Sequence, residues 1–458
     1  MSLRFGIRGR AALMKNVSLL LLVISLVSPA CSSVRTPGSK VISGATVVDG
    51  TGGSPIEDAV IVIQGSRIKQ VGPKETAVIP PDAEIIDVSG KFIIAGLGDA
   101  HNHIDMDGYG LEPGPPNYKM RLGRMLAWGF TTIFDPGTRD MDLFSELKRV
   151  GEESPRFSRY FGVGRGFAAE GGYGQQNAFR PDSPAQARAM VRQMKVAGVD
   201  AIKIYYSDLI YVNQTLLPVL EDELLWAIID ETHKNQLKAY AHAPVLKYAK
   251  KALRAGLDGL VHGILSEPVD QEFIDLMKKN EAIYISTFAA FDSIANLRAW
   301  VRKAELFDEG NTIPANVYAV GDDLNTQRKW EAQWDNLSYM KERLPILRTN
   351  LKKVWDEGIT VVCGSDLAGA MMGVSSQMEL VEMVAAGLTP QQAIRTATIN
   401  VARMLGRDGD QGTVEAGKLA DLVILNADPL LDIGNIRYIH RIVLGGSVLD
   451  PAELLTLK

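Results

Sequence analysis

Short apolar runs and longer amphipathic stretches alternate through the middle of the chain. Strand-like runs fall near residues 92–95, 130–134, 159–163, 201–205, 238–242, 259–262, 282–286 and 359–363. Patterns of approximately helical period lie between most of them, at 117–128, 141–150, 184–197, 221–235, 246–255 and 270–280. Near-continuous apolar runs suit parallel strands covered on both faces, and the intervening helices supply the crossovers. Eight such strands predict an α/β fold, a (β/α)8 TIM barrel over residues 91–411.

The two ends read differently. Val41-Ile42, Ala45 to Val48, Ala59 to Ile63 and Ile68 to Val71 are β-rich runs separated by Gly, Pro and Asp turns. Leu422 to Leu425 and Ile439 to Leu444 repeat the pattern after Gly412. A small β-sandwich built from residues 41–90 and 412–458 is expected. One stretch breaks the barrel rhythm: residues 287–358 carry four of the six tryptophans, Trp300, Trp330, Trp334 and Trp355. It is a candidate helical lid over the active-site face, or a helical elaboration whose tryptophans pack on the barrel.

Residues 1–30 carry the marks of a secretory signal. Val17 to Val27 is almost wholly apolar but too short to span a bilayer, and Ser28-Pro29-Ala30 precedes Cys31. Met14 is an alternative start to Met1. The chain is expected to be exported, as a periplasmic protein cleaved after Ala30 or as a membrane-anchored lipoprotein lipidated on Cys31, with 31–40 as a tether. Cys363 is the only other cysteine, so no intrachain disulfide framework is implied. The formal charge of −5 and the lack of a basic stripe argue against a nucleic-acid partner. A small-molecule substrate and a homo-oligomer are expected.

The chemistry sits at the ends of the apolar runs. His101 and His103 follow the first, Lys203 lies in Ala201 to Tyr205, His242 ends the fifth, His262 ends the sixth, and Asp366 follows the eighth. Alternation puts His101 and His103 on one side, and Ala201, Lys203 and Tyr205 on one face, with Ile202 and Ile204 on the other. Lys203 is then directed inward, where a charged ammonium is costly. It needs an anion, a neutral amine or modification, such as a carbamate formed with CO2. Imidazoles and carboxylates together suit divalent metals such as zinc. Gly412 to Lys418 imitates a phosphate-binding loop, but Leu419 stands where Ser or Thr is required. His233, His440, Asp105 and Asp107 read as surface, structural or loop residues.

These residues, with Gly129-Phe130-Thr131-Thr132, Ala241-His242-Ala243, His262-Gly263, Gly364-Ser365-Asp366 and Gly417 to Leu422, resemble the amidohydrolase superfamily. The branch they resemble is the imidazolonepropionase-like and prolidase-like one, over most of residues 40–450. The resemblance implies two divalent metal ions, with zinc expected. His101, His103 and Asp366 would hold one and His242 and His262 the other, with carboxylated Lys203 bridging. It implies an amidohydrolase, exported if the N-terminal signal is read as above, that cleaves an amide of a small molecule, such as a dipeptide or N-acyl amino acid. A metal-bridging hydroxide would attack the carbonyl, with Asp366 as the catalytic proton shuttle. Strict imidazolonepropionases resemble the chain less, because they use one metal and lack the bridging lysine. Two positions depart from the pattern. Tyr173 in Gly171-Gly172-Tyr173-Gly174 replaces a histidine, and Pro244 replaces a tyrosine that binds the substrate carboxylate in dipeptidase-like relatives. Tyr173 and Tyr205 are the candidate substrate-binding residues. A lactonase or a phosphotriester hydrolase could use the same centre, and a non-catalytic ligand receptor is a third reading.

Overall fold

The computed structural model describes residues 38–106, 117–138, 140–309, 312–313, 315–319, 323–334 and 336–456. The expected signal, Cys31, Asp107 and most of the tether lie outside the described residues. Among the described residues no helix is long and apolar enough to cross a membrane.

Eight strands of the middle section are hydrogen-bonded in parallel within two sheets. Leu97–Asp99, Phe130–Asp135 and Arg159–Gly162 form one sheet. Ala201–Tyr205, Lys238–His242, Gly259–Val261, Ile283–Ile285 and Val361–Val362 run side by side in a second, preceded by the two-residue strands Gly166–Phe167 and Ala178–Phe179. Single backbone bonds join the sheets at both edges: Ala100 N–H donates to Cys363 C=O and Asp200 N–H to Gly162 C=O.

Alternation sorts the side chains as the sequence pattern predicts. Ile202 and Ile204 join the large core under the helices, while Ala201 joins a separate apolar cluster with Ala100, Phe134, Tyr240, Val261 and Val362. That cluster is a floor made of apolar side chains and rings. The polar ligands follow it toward the strand C-termini, so each is held on a packed base.

The helices fall where the periodicity predicts: Tyr118–Ala127, Met141–Glu153, Pro184–Val196, Asp222–Lys234, Leu246–Arg254 and Gln271–Lys279. Their starts are chemically marked. Asn117, Asp140, Ser183 and Asp270 each accept a backbone N–H from the first turn through the side chain.

Two expectations change. Phe92–Ala95 is not the first barrel strand, because it pairs with Lys40–Val48 and Leu422–Leu425 in the terminal sheet. The parallel strands of the middle section begin at Leu97–Asp99 instead. The run from 92 to 99 is apolar almost throughout, and its hydropathy does not mark the point where the chain changes sheets. The strands from the two ends also form one mixed eight-stranded sheet rather than two separately bonded layers. Phe92–Ala95 is the reason, since it bridges the N-terminal and C-terminal strands directly. Asp421 ties this sheet to the strand Arg159–Gly162 through a two-pronged ion pair with Arg159, and it accepts the Gly445 N–H within the terminal sheet's own last hairpin. The Gly417 to Leu422 motif is thus explained by assembly, at a distance from the chemistry.

The 287–358 stretch is helical: Phe288–Ala295, Leu297–Asp308, Ala315–Ala319, Leu324–Gln333 and Leu337–Asp356. Trp300 and Trp330 are buried in it, and Trp334 and Trp355 are partly buried against the core. Packing is therefore the role these tryptophans visibly serve. The lining of the site comes from Phe291 instead.

Candidate metal centre

The sequence-predicted residues converge. Asp366 Oδ1 lies 3.1 Å from His101 Nε2 and 3.2 Å from His103 Nε2, and Asp366 Oδ2 lies 3.8 Å from His262 Nδ1. The imidazoles form a chain, with ring centres 5.2 Å apart for His101 and His103, 4.7 Å for His101 and His262, and 4.2 Å for His262 and His242. His101, His262 and Asp366 offer ligand atoms that all lie within 4.8 Å of one another. Lys203 is buried, with Nζ 5.2 Å from the centre of the Tyr205 ring.

The backbone is strained where two of these side chains leave the strands. His262 has φ +134° and Asp366 φ +51°. Such angles are rare for residues with a side chain and persist only where the surroundings fix them. Gly364 permits the close approach beside Asp366: a Cβ there would lie 2.8 Å from His101 Cβ.

Burial sets the electrostatics. It drives His101 down to about 4 and His242 and His262 well below the usual imidazole range, with Lys203 adding to the effect at His242. All three present neutral rings, which is the ligating form. Burial also lowers Lys203 to about 8, against the pull of Asp366 and Asp135. His103 goes the other way: burial works against its charge, but Asp135 and Asp366 hold it up at about 10. Burial raises the Asp366 carboxyl, yet His101, His103 and His262 keep it well below the ordinary carboxylate range.

Four supporting residues escaped the sequence reading. Asp135 ends Phe130–Asp135 and lies 3.3 Å from His103 Nδ1; it accepts from Ile104 N–H, Gly137 N–H, the Thr138 hydroxyl and the Tyr160 hydroxyl. Its signal was an acid closing a wholly buried strand. Thr287 Oγ1 stands 2.8 Å from His262 Nδ1, and the Tyr211 hydroxyl 2.6 Å from His242 Nε2. Asp99 is fully buried and binds both ends of the site. It accepts from His101 N–H (2.9 Å), Ser365 N–H (3.1 Å), Asn102 Nδ2 (3.1 Å), Ser365 Oγ (2.7 Å) and Ser376 Oγ (2.6 Å).

The donor set fits divalent metal. His101 Nδ1 is buried without a hydrogen-bond partner. Thr287 and Tyr211 occupy one nitrogen each of His262 and His242, leaving His262 Nε2 and His242 Nδ1 for an ion, the usual division between a ligand and its orienting partner. Tyr173 stacks obliquely on His242, 4.6 Å between ring centres, and edge-on to Tyr205 at 5.4 Å. Tyr205 is packed into a glycine cradle: a Cβ on Gly174, at φ +76°, would lie 2.5 Å from Tyr205 Cγ. Phe291 completes an aromatic wall, 5.6 Å from His262 and 5.9 Å from Tyr211.

His101, His262 and Asp366 together offer a possible metal site near the C-terminal ends of parallel strands. The amidohydrolase family matches over residues 92–449, and the chain belongs to it. It is a hydrolase acting on carbon–nitrogen bonds. An imidazolonepropionase from Symbiobacterium thermophilum is 23% identical over 402 residues, covering 82% of this chain and 86% of the relative. Among solved structures, a Xaa-Pro dipeptidase with bound methionine superposes with a TM-score of 0.71 at 21% identity, over 90% of this chain and 99% of the other. A prolidase complexed with N-methylphosphonate-L-proline gives 0.71 at 24% identity, over 90% and 99%. These neighbours establish a TIM-barrel-like α/β fold.

Proposed function

We propose that the protein is a metal-dependent amidohydrolase with a binuclear centre that cleaves an amide bond of a small molecule, such as a dipeptide or N-acyl amino acid. The observation that carries this is the convergence of His101, His103, His242, His262, Lys203 and Asp366, drawn from four strand ends and a strand interior. The accompanying fold is a closed eight-stranded barrel, supported by the backbone bonds at Ala100 and Asp200.

In this reading His101, His103 and Asp366 would hold one ion and His242 and His262 the other. Lys203 would serve both ions as a carbamate: its neutral amine would add to CO2, forming a C–N bond and releasing one proton. Burial favours that neutral amine. When bound, two divalent ions, zinc being the best match to the ligands, activate water and polarise a carbonyl. Asp366 accepts the proton lost by the attacking water and delivers it to the departing amine. Its partial exposure, 22% of the side chain, leaves it accessible to both.

Tyr173 and Tyr205 frame the substrate. Burial raises the Tyr173 hydroxyl above its ordinary range, so it stays protonated and can donate to the carbonyl oxygen. Tyr205 supports Tyr173 from behind through their edge-on contact. Tyr173 where the resemblance implies a histidine, and Pro244 where it implies a carboxylate-binding tyrosine, weigh against a dipeptide and toward another small amide as the substrate. We also propose export, with lipidation of Cys31 as membrane anchor; the mass of the mature N-terminal peptide tests it.

The central experiment is a substrate panel of dipeptides, N-acyl amino acids, lactones and phosphotriesters, with zinc and bicarbonate supplied. Amide-selective turnover that collapses in Asp366→Asn is the expected result. Turnover confined to lactones or phosphotriesters would replace the reading.

A further inference from the structure

We infer that Glu379 is a positioning residue for His262, acting through the turn Ser286–Ala289. The inference rests on the proposed role of His262 as a metal ligand. Glu379 lies on the helix Val374–Ala385 and is wholly buried. It accepts the Phe288 N–H at 2.9 Å, the Ala289 N–H at 2.7 Å and the Ser286 hydroxyl. These donors bracket Thr287, whose φ is +49°. A β-branched residue is a strong outlier there and needs neighbours that hold it. The Thr287 hydroxyl is the group that meets His262 Nδ1 at 2.8 Å.

The same carboxylate caps the first turn of Phe288–Ala295, where exposed N–H groups attract an acceptor. Phe291 on that helix packs 5.6 Å from the His262 ring. One side chain therefore fixes both the hydrogen-bond partner and the apolar neighbour of one imidazole. The next acid on the helix, Glu382, takes the cations instead, Lys303 and Arg348. Glu379 is left to the turn, and a buried carboxyl is retained only where such bonds offset its desolvation.

The test is zinc titration of the full chain against a competing chelator, read as two binding constants. Glu379→Gln should weaken the second ion by about tenfold or more, the usual consequence of losing a ligand's support, and leave the first within about threefold. Ser286→Ala, which removes one donor and spares the helix, should weaken the same constant by a smaller factor, about threefold, and keeps the question open to test if Glu379→Gln does not fold. In a Thr287→Val background Glu379→Gln should cost much less than in the parent, since the Thr287 route is shared and only the Phe291 contact remains to be lost. Equal weakening of both ions, no weakening of either in a folded variant, or full additivity with Thr287→Val would overturn the inference. An ion count unchanged by His262→Ala would overturn the metal assignment beneath it.

Discussion

The Tyr211 hydroxyl lies 2.6 Å from His242 Nε2, and Tyr211 comes from an irregular segment rather than a barrel strand. With Nε2 engaged, the lone pair available to an ion is on Nδ1. Tyr211→Phe keeps the ring packed against Phe291 and removes only the oxygen. The ion held by His242 should then bind about 10- to 100-fold more weakly, with its partner ion little changed. Competitive zinc titration checks this; equal affinity in the variant would mean that the tyrosine does not orient the ligand.

Lys203 gives a prediction of a different kind. A bridging carbamate makes ion binding depend on dissolved CO2. Protein stripped of metal and refilled without bicarbonate should take up less zinc and recover activity slowly; added bicarbonate should restore both. Lys203→Ala should lose at least one ion and most activity, and should not respond to bicarbonate. Metal counting by elemental analysis under the two conditions decides the point. A Lys203→Ala protein with two ions and full activity would exclude the bridge.

The pH dependence follows from His103 and Lys203. In metal-stripped protein His103, held at about 10 against an ordinary 6.5, stays charged, with Asp135 and Asp366 outweighing burial. A raised imidazole stabilises the fold below the unfolded value and loses that contribution as pH rises toward 10. Lys203, lowered to about 8 from 10.5, acts in the opposite sense and only above pH 8. Between pH 6.5 and 8 the metal-stripped protein should therefore melt at progressively lower temperature. Over the same interval zinc should bind more tightly and release protons, because His103 must give up its charge to ligate. Thermal melts and calorimetry in two buffers of different ionisation heat test both halves.

Much of this site could be read from the chain because its ligands close apolar runs. His242 and His262 each end a strand, Lys203 interrupts one, and period-two alternation fixes which way it faces. The helices were legible for the same reason. The supporting residues obey no such period. Tyr211 sits in a segment without regular structure, and Thr287 at a backbone angle that sequence does not announce. Asp99 and Glu379 serve partners hundreds or tens of positions away, Ser365 and Ser286 among them. Only the fold reveals such pairings. Hydropathy runs unbroken through the sheet change at Gly96, so the pattern alone places Phe92–Ala95 with the wrong strands.

Asp99 carries the last prediction. Its carboxylate holds the His101 end of the first strand to the Ser365 end of the eighth, and Asn102 to both. Burial pushes its pKa up while the donors from Ser376, His101, Ser365 and Asn102 pull it down. Asp99→Ala would leave those buried donors unsatisfied, at about 1–3 kcal/mol for each group that finds no new partner. Asp99→Asn keeps the shape but turns one acceptor into a donor, facing hydroxyls and N–H groups. The hydroxyls of Ser365 and Ser376 can rotate to accept; the N–H groups of His101 and Ser365 cannot. Asp99→Asn should therefore be destabilised less than Asp99→Ala, and both should lose zinc affinity at the His101 and Asp366 side. Ser376→Ala, which removes a single rotatable donor, should cost the least, within about 1.5 kcal/mol. Thermal denaturation of metal-loaded and metal-stripped forms measures the order. If Asp99→Ala proves as stable as the parent and keeps its zinc, the two strand ends are held by something other than this carboxylate.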